Sequence, residues 1–371
     1  MVRLRVCPEP GPNDTLRSRE RCSTHDRRPR RLGTVGAVEP DRELGWNDAL
    51  DASWRAIGSP GSPGRVSRID RGWSTVMRHA ADDAPIRIRN LFVDVAVGDW
   101  VVPSPDTERV DHIVDRTSAF TRRASHDGDR FEADVLAANI DVVFLVHALG
   151  APPNQRRLER ELVLAYDSGA EPVVVLTKVD LVADPEPTRR ELADVALGAP
   201  VLVASGLESL GIDPIRAYAS GNRTLAFLGA SGVGKSTLVN ALLAREAMDT
   251  GEVREGDQRG RHTTVAAQLL RLPGEGWLID TPGVRAVSLW LSGDGIERAF
   301  ADVFDLMDHC RFRDCKHDRE PGCAVRAAID AGDLAPERLA SLERLVAEEH
   351  ALEEEQERFE KRADRRGHRR R

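Results

Sequence analysis

Apolar residues in this chain come in short, nearly pure runs set apart by polar stretches. Val142 to Val146, Val173 to Leu176, Val201 to Val203, Leu225 to Leu228 and Trp277 to Ile279 are the clearest. Runs of this length are too short for buried helices and suit strands covered on both faces, as in a mostly parallel sheet. Helical spacing follows one of them, over Thr237 to Ala244, and returns with heavy charge over Leu334 to Phe359. Upstream the rhythm changes. Gly64 to Val76 alternates like strand, turn and strand, and Ile86 to Val95 and Asp99 to Val102 continue as short β-like runs. Several short strands in so small a stretch predict a small barrel, OB or SH3-like; composition does not separate the two. Arg116 to Arg130 is polar and Arg-rich and reads as a linker into the first apolar run.

The polar residues that end these runs carry the chemistry. Gly229-Ala230-Ser231-Gly232-Val233-Gly234-Lys235-Ser236 matches G-x-x-x-x-G-K-[ST] in full, between a strand-like run and a helix. Its glycines let backbone N–H groups turn toward phosphate oxygens, and the helix N-terminus beginning near Thr237 adds favourable partial charge. Lys235 is expected at the β and γ phosphates and Ser236 on Mg2+. Thr177-Lys178-Val179-Asp180 ends another run. There the Asp180 carboxylate can accept two hydrogen bonds from guanine, and adenine lacks that donor pair. Lys178 would lay its aliphatic stem along the base.

Three further segments complete a nucleotide site. Ala204-Ser205 forms a small-residue turn expected to present backbone N–H groups to the guanine carbonyl. In Asp280-Thr281-Pro282-Gly283, Asp280 is expected to hold Mg2+ through water and the Gly283 N–H to sense the γ phosphate. Thr263 and Thr264 both offer hydroxyls to the Mg2+ shell, and the sequence does not choose between them.

A separate constellation is Cys310, Cys315, His317 and Cys323, spaced C-x4-C-x-H-x5-C. Three thiolates and an imidazole supply the closed tetrahedral shell of one structural Zn2+, with no position left for a catalytic water. His309 adjoins Cys310 and competes as a ligand on spacing alone. Arg311, Arg313, Lys316 and Arg319 interleave with the ligands, and Phe312 offers a ring on which an RNA base can stack. Outside this cluster only Cys7 and Cys22 remain, so a disulfide framework is not indicated.

In ordinary GTPases the guanine signature follows the phosphate loop; here it precedes it. With that order the chain resembles the RsgA (YjeQ) family of circularly permuted GTPases, which act in maturation of the small ribosomal subunit. The family's permuted motif series is matched by Thr177 to Asp180, Ala204-Ser205, Gly229 to Thr237, Thr263-Thr264 and Asp280 to Gly283, and the likeness runs from about Arg65 to the C-terminus. The resemblance implies an OB fold for the barrel and His317 as the zinc ligand. It also implies GTP hydrolysis to GDP and phosphate, docking on the small subunit and its rRNA, and release after hydrolysis. Thr177 stands where the usual motif has Asn, which exchanges an amide for a hydroxyl. Val284 follows the D-x-x-G segment where many small GTPases place a water-orienting Gln. The family shares that apolar substitution, so turnover should be slow until another group or the ribosome completes the site. His262 is the candidate for positioning water.

Composition fits an α/β chain of several domains. Residues 1–45 are expected to be a disordered basic extension, 46–115 the OB barrel, 116–291 the permuted GTPase domain, 292–356 a mostly helical zinc domain and 357–371 a basic tail. With 371 residues, 41% hydrophobic but only 5% aromatic, Val, Leu and Ala must dominate the cores. The net charge is −8 although both ends are basic, so RNA contact must come from local patches. No apolar run approaches the ~20 residues of a membrane helix. A cytoplasmic monomer is expected, with no membrane or DNA partner. Rival readings are an RNA-binding module that keeps GTP as a structural ligand, and a GTPase of another translation or large-subunit assembly step. An ATP-using kinase would leave Asp180 without a partner.

Overall fold

Wide apolar side chains are buried close to the start of the described residues. The structure is a computed structural model and describes residues 39–369, apart from 59–60, 71, 82–83, 92, 105–106, 126–130, 245–266 and 281–292. His262, Thr263, Thr264, Gly283, Val284 and the extension up to residue 38 lie outside the described residues. A 3-10 turn at Arg42–Leu44 precedes α1 (Asp48–Ala56), which is capped by the Asn47 side chain accepting the Leu50 N–H at 3.0 Å. Leu44 is fully buried, and Trp46 packs edge-on against Trp54 and Trp100 at centroid distances of 6.0 and 4.8 Å. Within the stretch expected to be extension through residue 45, Leu44 is therefore part of the core together with Trp46.

The barrel is built from β1 (Gly64–Asp70), β2 (Trp73–Met77), β3 (Ile86–Arg89), β4 (Trp100–Pro103) and β5 (Val110–Ile113). β1 pairs antiparallel with β2 and β4, β2 with β3, and β4 with β5. A parallel bridge between Arg89 and Arg109 brings the end of β3 to the start of β5. That five-stranded order is the OB arrangement, and Val66, Val76, Ile88, Val95, Val101 and Val110 fill it.

Next comes a ribbon of β6 (Ala119–Ser125) and β7 (Phe131–Ala138). The segment read as a linker is thus largely strand. Phe120 is buried and the arginines that mask the alternation are paired in register, Arg122 opposite Asp134.

The apolar runs become the second layer: β8 (Val142–Ala148), α2 (Gln155–Ser168), β9 (Glu171–Thr177), α3 (Glu186–Ala196), β10 (Val201–Val203), α4 (Ile212–Ala217), β11 (Thr224–Gly229), α5 (Lys235–Leu243), β12 (Gln268–Arg271) and β13 (Trp277–Asp280). The strands lie in the order β10-β9-β8-β11-β13-β12, all parallel except β12. Alternate side chains feed two cores. Val143, Leu145, Val174 and Leu176 meet α2 and α3, while Val142, Phe144, Val173 and Val175 meet α4 and α5.

The barrel continues this sheet, since β1 pairs with β12 through Arg68 and Gln268. Beneath the join the buried Arg65 guanidinium donates to the Leu44 and Asn139 carbonyls and to Thr224 Oγ1, at 2.5, 3.1 and 2.7 Å. Burial brings its pKa down to about 10.

Four helices follow: α6 (Gly293–Ala299), α7 (Ala301–Met307), α8 (Ala324–Ala331) and α9 (Pro336–Arg369). The C-terminal region is helical as read, but α9 runs past Phe359, so most of the basic tail is helix. α6 lies so close to α2 that a Cβ on Gly295 would come within 2.7 Å of the Val163 carbonyl. Among the described residues no helix is long and apolar enough to cross a membrane.

Candidate functional site

The C-terminal ends of the parallel strands gather the predicted nucleotide residues. β11 delivers the loop Gly229 to Gly234, and α5 starts at Lys235. Gly229 has φ 146°, and a Cβ there would stand 2.5 Å from the Val146 carbonyl, so the turn out of the sheet requires glycine. Ser231 and Gly232 are exposed at the tip, whereas Val233, Lys235, Ser236 and Thr237 are half-buried. The Lys235 ammonium donates to the Gly229 and Ala230 carbonyls at 2.8 and 2.5 Å, which keeps it on the loop.

Thr177 ends β9 beside this loop and is buried. Its hydroxyl lies within hydrogen-bonding reach of two carbonyls, Val233 of the loop and His147 at 3.2 Å. The hydroxyl that replaces an amide here therefore ties the guanine signature to the phosphate loop. Lys178 takes a left-handed conformation, φ 60°, and that sharp turn brings Lys178 and Asp180 to the rim. Asp180 is exposed rather than buried, so its carboxylate loses water only when something covers it.

Ala204 and Ser205 lie beside this rim but do not present their N–H groups. Ala204 N–H donates to Leu176 O, and Ser205 N–H to Leu210 O, both at 2.9 Å. The Ser205 hydroxyl is itself taken by the Glu208 N–H at 3.1 Å. The expectation placed on these two residues is corrected: the Ala204 donor ties into β9 and the Ser205 donor closes a local turn. Among the described residues the N–H groups of Gly206 and Leu207 have no such partner and are next in line to face a base. Gly206 packs directly on the start of α5, where a Cβ would fall 2.8 Å from the Thr237 backbone. Leu181, Leu207 and Leu210 around it are exposed apolar side chains at the same rim.

Asp280 closes β13, whose Ile279 is in register with Ala226 of β11, so its carboxylate emerges at the same sheet end. Burial pushes its pKa up to about 6, a penalty that a nearby cation would offset.

The second cluster stands apart. Ligand atoms of Cys310, Cys315, His317 and Cys323 all lie within 4.8 Å of one another. Cys310 Sγ is 3.9 Å from Cys323 Sγ and 3.6 Å from His317 Nδ1, which is 3.4 Å from Cys323 Sγ. Tetrahedral zinc at ~2.3 Å from sulfur makes ligand edges of about 3.8 Å, so the four residues fit that ion.

The electrostatics around the thiols agree. Burial alone would raise the Cys310 thiol, but the N–H groups of Ala324 and Val325 at the start of α8 outweigh it and hold the thiol below its ordinary value. Cys315 is pushed up to about 11, first by burial and also by its sulfur neighbours. A divalent cation is what lets three crowded thiols ionise together. His309 is not part of the cluster; its Nδ1 meets the Asp305 carbonyl at 2.7 Å. Phe312 is exposed, with Arg311 over its ring at 5.4 Å, and Arg313, Lys316 and Arg319 are exposed beside it.

Sequence reasoning missed the buried pair of His147 Nε2 and Glu161 Oε2, 2.9 Å apart behind Thr177. It also missed Gly206. A histidine inside an otherwise apolar run was the available sign of the first.

Comparison with known proteins agrees with this geometry. A family model described as RsgA GTPase matches residues 113–290. The "Small ribosomal subunit biogenesis GTPase RsgA" of Streptomyces coelicolor is 43% identical over 321 residues, covering 83% of this chain and 86% of that protein. The protein of the same name from Methanosarcina acetivorans is 38% identical, with 83% and 85% covered. Among solved structures, YjeQ from Thermotoga maritima superposes with a TM-score of 0.56 at 26% identity, over 77% of this chain and 98% of that one. YloQ, a circularly permuted GTPase, shares the fold with a TM-score of 0.55. The permuted strand order, the phosphate loop and these likenesses agree, and the chain belongs to the RsgA family of circularly permuted GTPases, hydrolases that act on GTP.

Proposed function

We propose that this GTPase is a cytoplasmic monomer that docks on the small ribosomal subunit through rRNA late in its maturation, and leaves when GTP has been hydrolysed to GDP and phosphate. The observation that carries the reading is the joining of a loop-bearing GTPase sheet to two candidate RNA-facing modules. One is the OB barrel, where Trp73 of β2 stacks with Arg87 and Arg89 of β3 at 5.2 and 4.9 Å. Both arginines are exposed, and a ring flanked by guanidinium groups suits bases and phosphates together. The other is the cysteine knuckle with its exposed Phe312 and basic neighbours. The names of the similar proteins supply the choice of the small subunit.

In this reading Gly229 to Thr237 cradle the phosphates and Lys235 balances charge developing on the γ phosphoryl group. Asp180 and Lys178 read guanine, with Gly206 and Leu207 N–H groups as the donors to its carbonyl. Ser236 and Asp280, joined by Thr263 or Thr264, hold Mg2+, which neutralises phosphate charge when bound. Gly283 senses the γ phosphate and His262 positions water. Cys310, Cys315, His317 and Cys323 hold one structural Zn2+. No DNA or membrane partner enters the reading.

The test is steady-state GTP hydrolysis by the protein alone, with small subunits, and with large subunits as control, at two salt concentrations. Stimulation by small subunits only, weakened by salt, is the expected result. Equal rates under all conditions would remove the ribosome from the mechanism.

A further inference from the structure

α2 carries two buried carboxylates that point to opposite partners. Glu161, fully buried, holds the His147 imidazole at 2.9 Å, and Arg157 flanks its other oxygen at 3.2 Å. His147 is the strand residue whose carbonyl faces the Thr177 hydroxyl, and Leu149 two residues on donates to Thr177 O at 2.9 Å. Through Thr177 this face of α2 reaches the Val233 carbonyl of the phosphate loop.

Glu159 sits two residues away, also buried, and faces the C-terminal helices. Arg338 of α9 donates to it at 3.0 Å, and so does the Ser341 hydroxyl. Arg338 is itself anchored by Asp302 of α7 at 3.0 and 3.1 Å and by the Ala299 carbonyl at 2.6 Å, with its guanidinium 4.2 Å over Phe300. The next residue of α2, Arg160, grips both Glu348 oxygens at 2.7 and 2.6 Å. A carboxylate buried this deeply is stable only while its donors stay in place.

We propose that α2 is a two-faced strut. Its Glu161 face positions Thr177, and with it the phosphate loop, while its Glu159 face registers the docking of the C-terminal helices. Loosening Ser341 or Arg338 from Glu159 thereby weakens guanine-nucleotide binding at a site they do not touch. Glu161, His147 and Thr177 are positioning residues, acting on nucleotide through the Val233 carbonyl. The inference rests on the proposed nucleotide site. It adds a route by which a partner pulling on the zinc domain changes nucleotide affinity.

The test uses full-length protein and a fluorescent GDP, with no ribosome present. Thr177→Val keeps the side-chain volume, deletes the hydroxyl and is expected to weaken GDP about tenfold. Ser341→Ala is expected to weaken it about threefold, and the double variant to be no weaker than Thr177→Val alone, the non-additivity of a shared path. By reciprocity, GDP should slow hydrogen exchange in the first turns of α9 in the parent protein and fail to do so in Thr177→Val. Glu159→Gln, which neutralises the carboxylate at constant size, supplies a second break judged in the same way. Unchanged GDP affinity while exchange at the start of α9 rises, or full additivity in the double variant, overturns the strut. A parent protein that binds no GDP would instead overturn the nucleotide site itself, so the two failures are distinct.

Discussion

The phosphate loop and the cysteine knuckle both gather polar groups, and they are held by opposite means. Around the loop, the apolar strands β8, β9 and β11 are buried along all but their end residues and fix the backbone before any ligand arrives. Apart from Lys235 and Ser236, its working groups are main-chain N–H donors whose directions the strands set. At the knuckle the only fully buried neighbour in sequence is Cys323, and the segment from Arg311 to Gly322 is mostly exposed. There the side chains must be joined by something outside the chain. A large core makes a polar site rigid through its backbone, whereas a small one needs a cross-link.

Substitutions at the two places should therefore differ in kind. The largest effect is expected from Cys323→Ala, which removes both a proposed metal ligand and the side-chain cap that accepts the Arg326 N–H at 3.4 Å. Zinc content should fall from one per chain to none and exchange protection should vanish from α8, while β8 and β11 keep theirs. Retained zinc would break the contrast. Lys235→Ala comes next. It should weaken GTP binding about a hundredfold, an electrostatic loss of roughly 2.7 kcal/mol. The melting temperature should hold within about 2 °C, because no core residue changes.

Gly206→Val drives a side chain into the start of α5 and should weaken GTP about tenfold, with GDP affected equally, if that loop faces the base. Loss of GTP alone would place Gly206 elsewhere. The smallest effect sharpens the comparison most: Ser231→Ala, at the exposed tip, should change nucleotide affinity by less than about 0.5 kcal/mol, since the loop works through its backbone. A large loss by titration calorimetry would show that the loop, too, depends on a side chain.

Much of the sheet could be read from the chain because strands buried on both faces leave unbroken apolar runs. The phosphate loop was equally plain, since its chemistry fixes both spacing and context. Barrel type was not, because the bridge from Arg89 to Arg109 joins residues far apart in sequence. The roles of Ala204 and Ser205 were misjudged for a similar reason: the Leu176 carbonyl at the end of β9 takes the Ala204 N–H and the return of Leu210 takes that of Ser205, and nothing local announces either. Spacing alone left His309 open as a ligand, and only the fold, which gathers His317 and not His309 with the three cysteines, decides it. His147 and Glu161 meet only because α2 folds over β8.

The pairing of Arg68 with Gln268 bears on how this protein can be taken apart. A fragment beginning after the barrel would leave β12 as a bare sheet edge, with its N–H and C=O groups open to another chain. It would also lose the Arg65 contacts under Thr224. Such a piece should clump rather than behave as a free-standing catalytic unit.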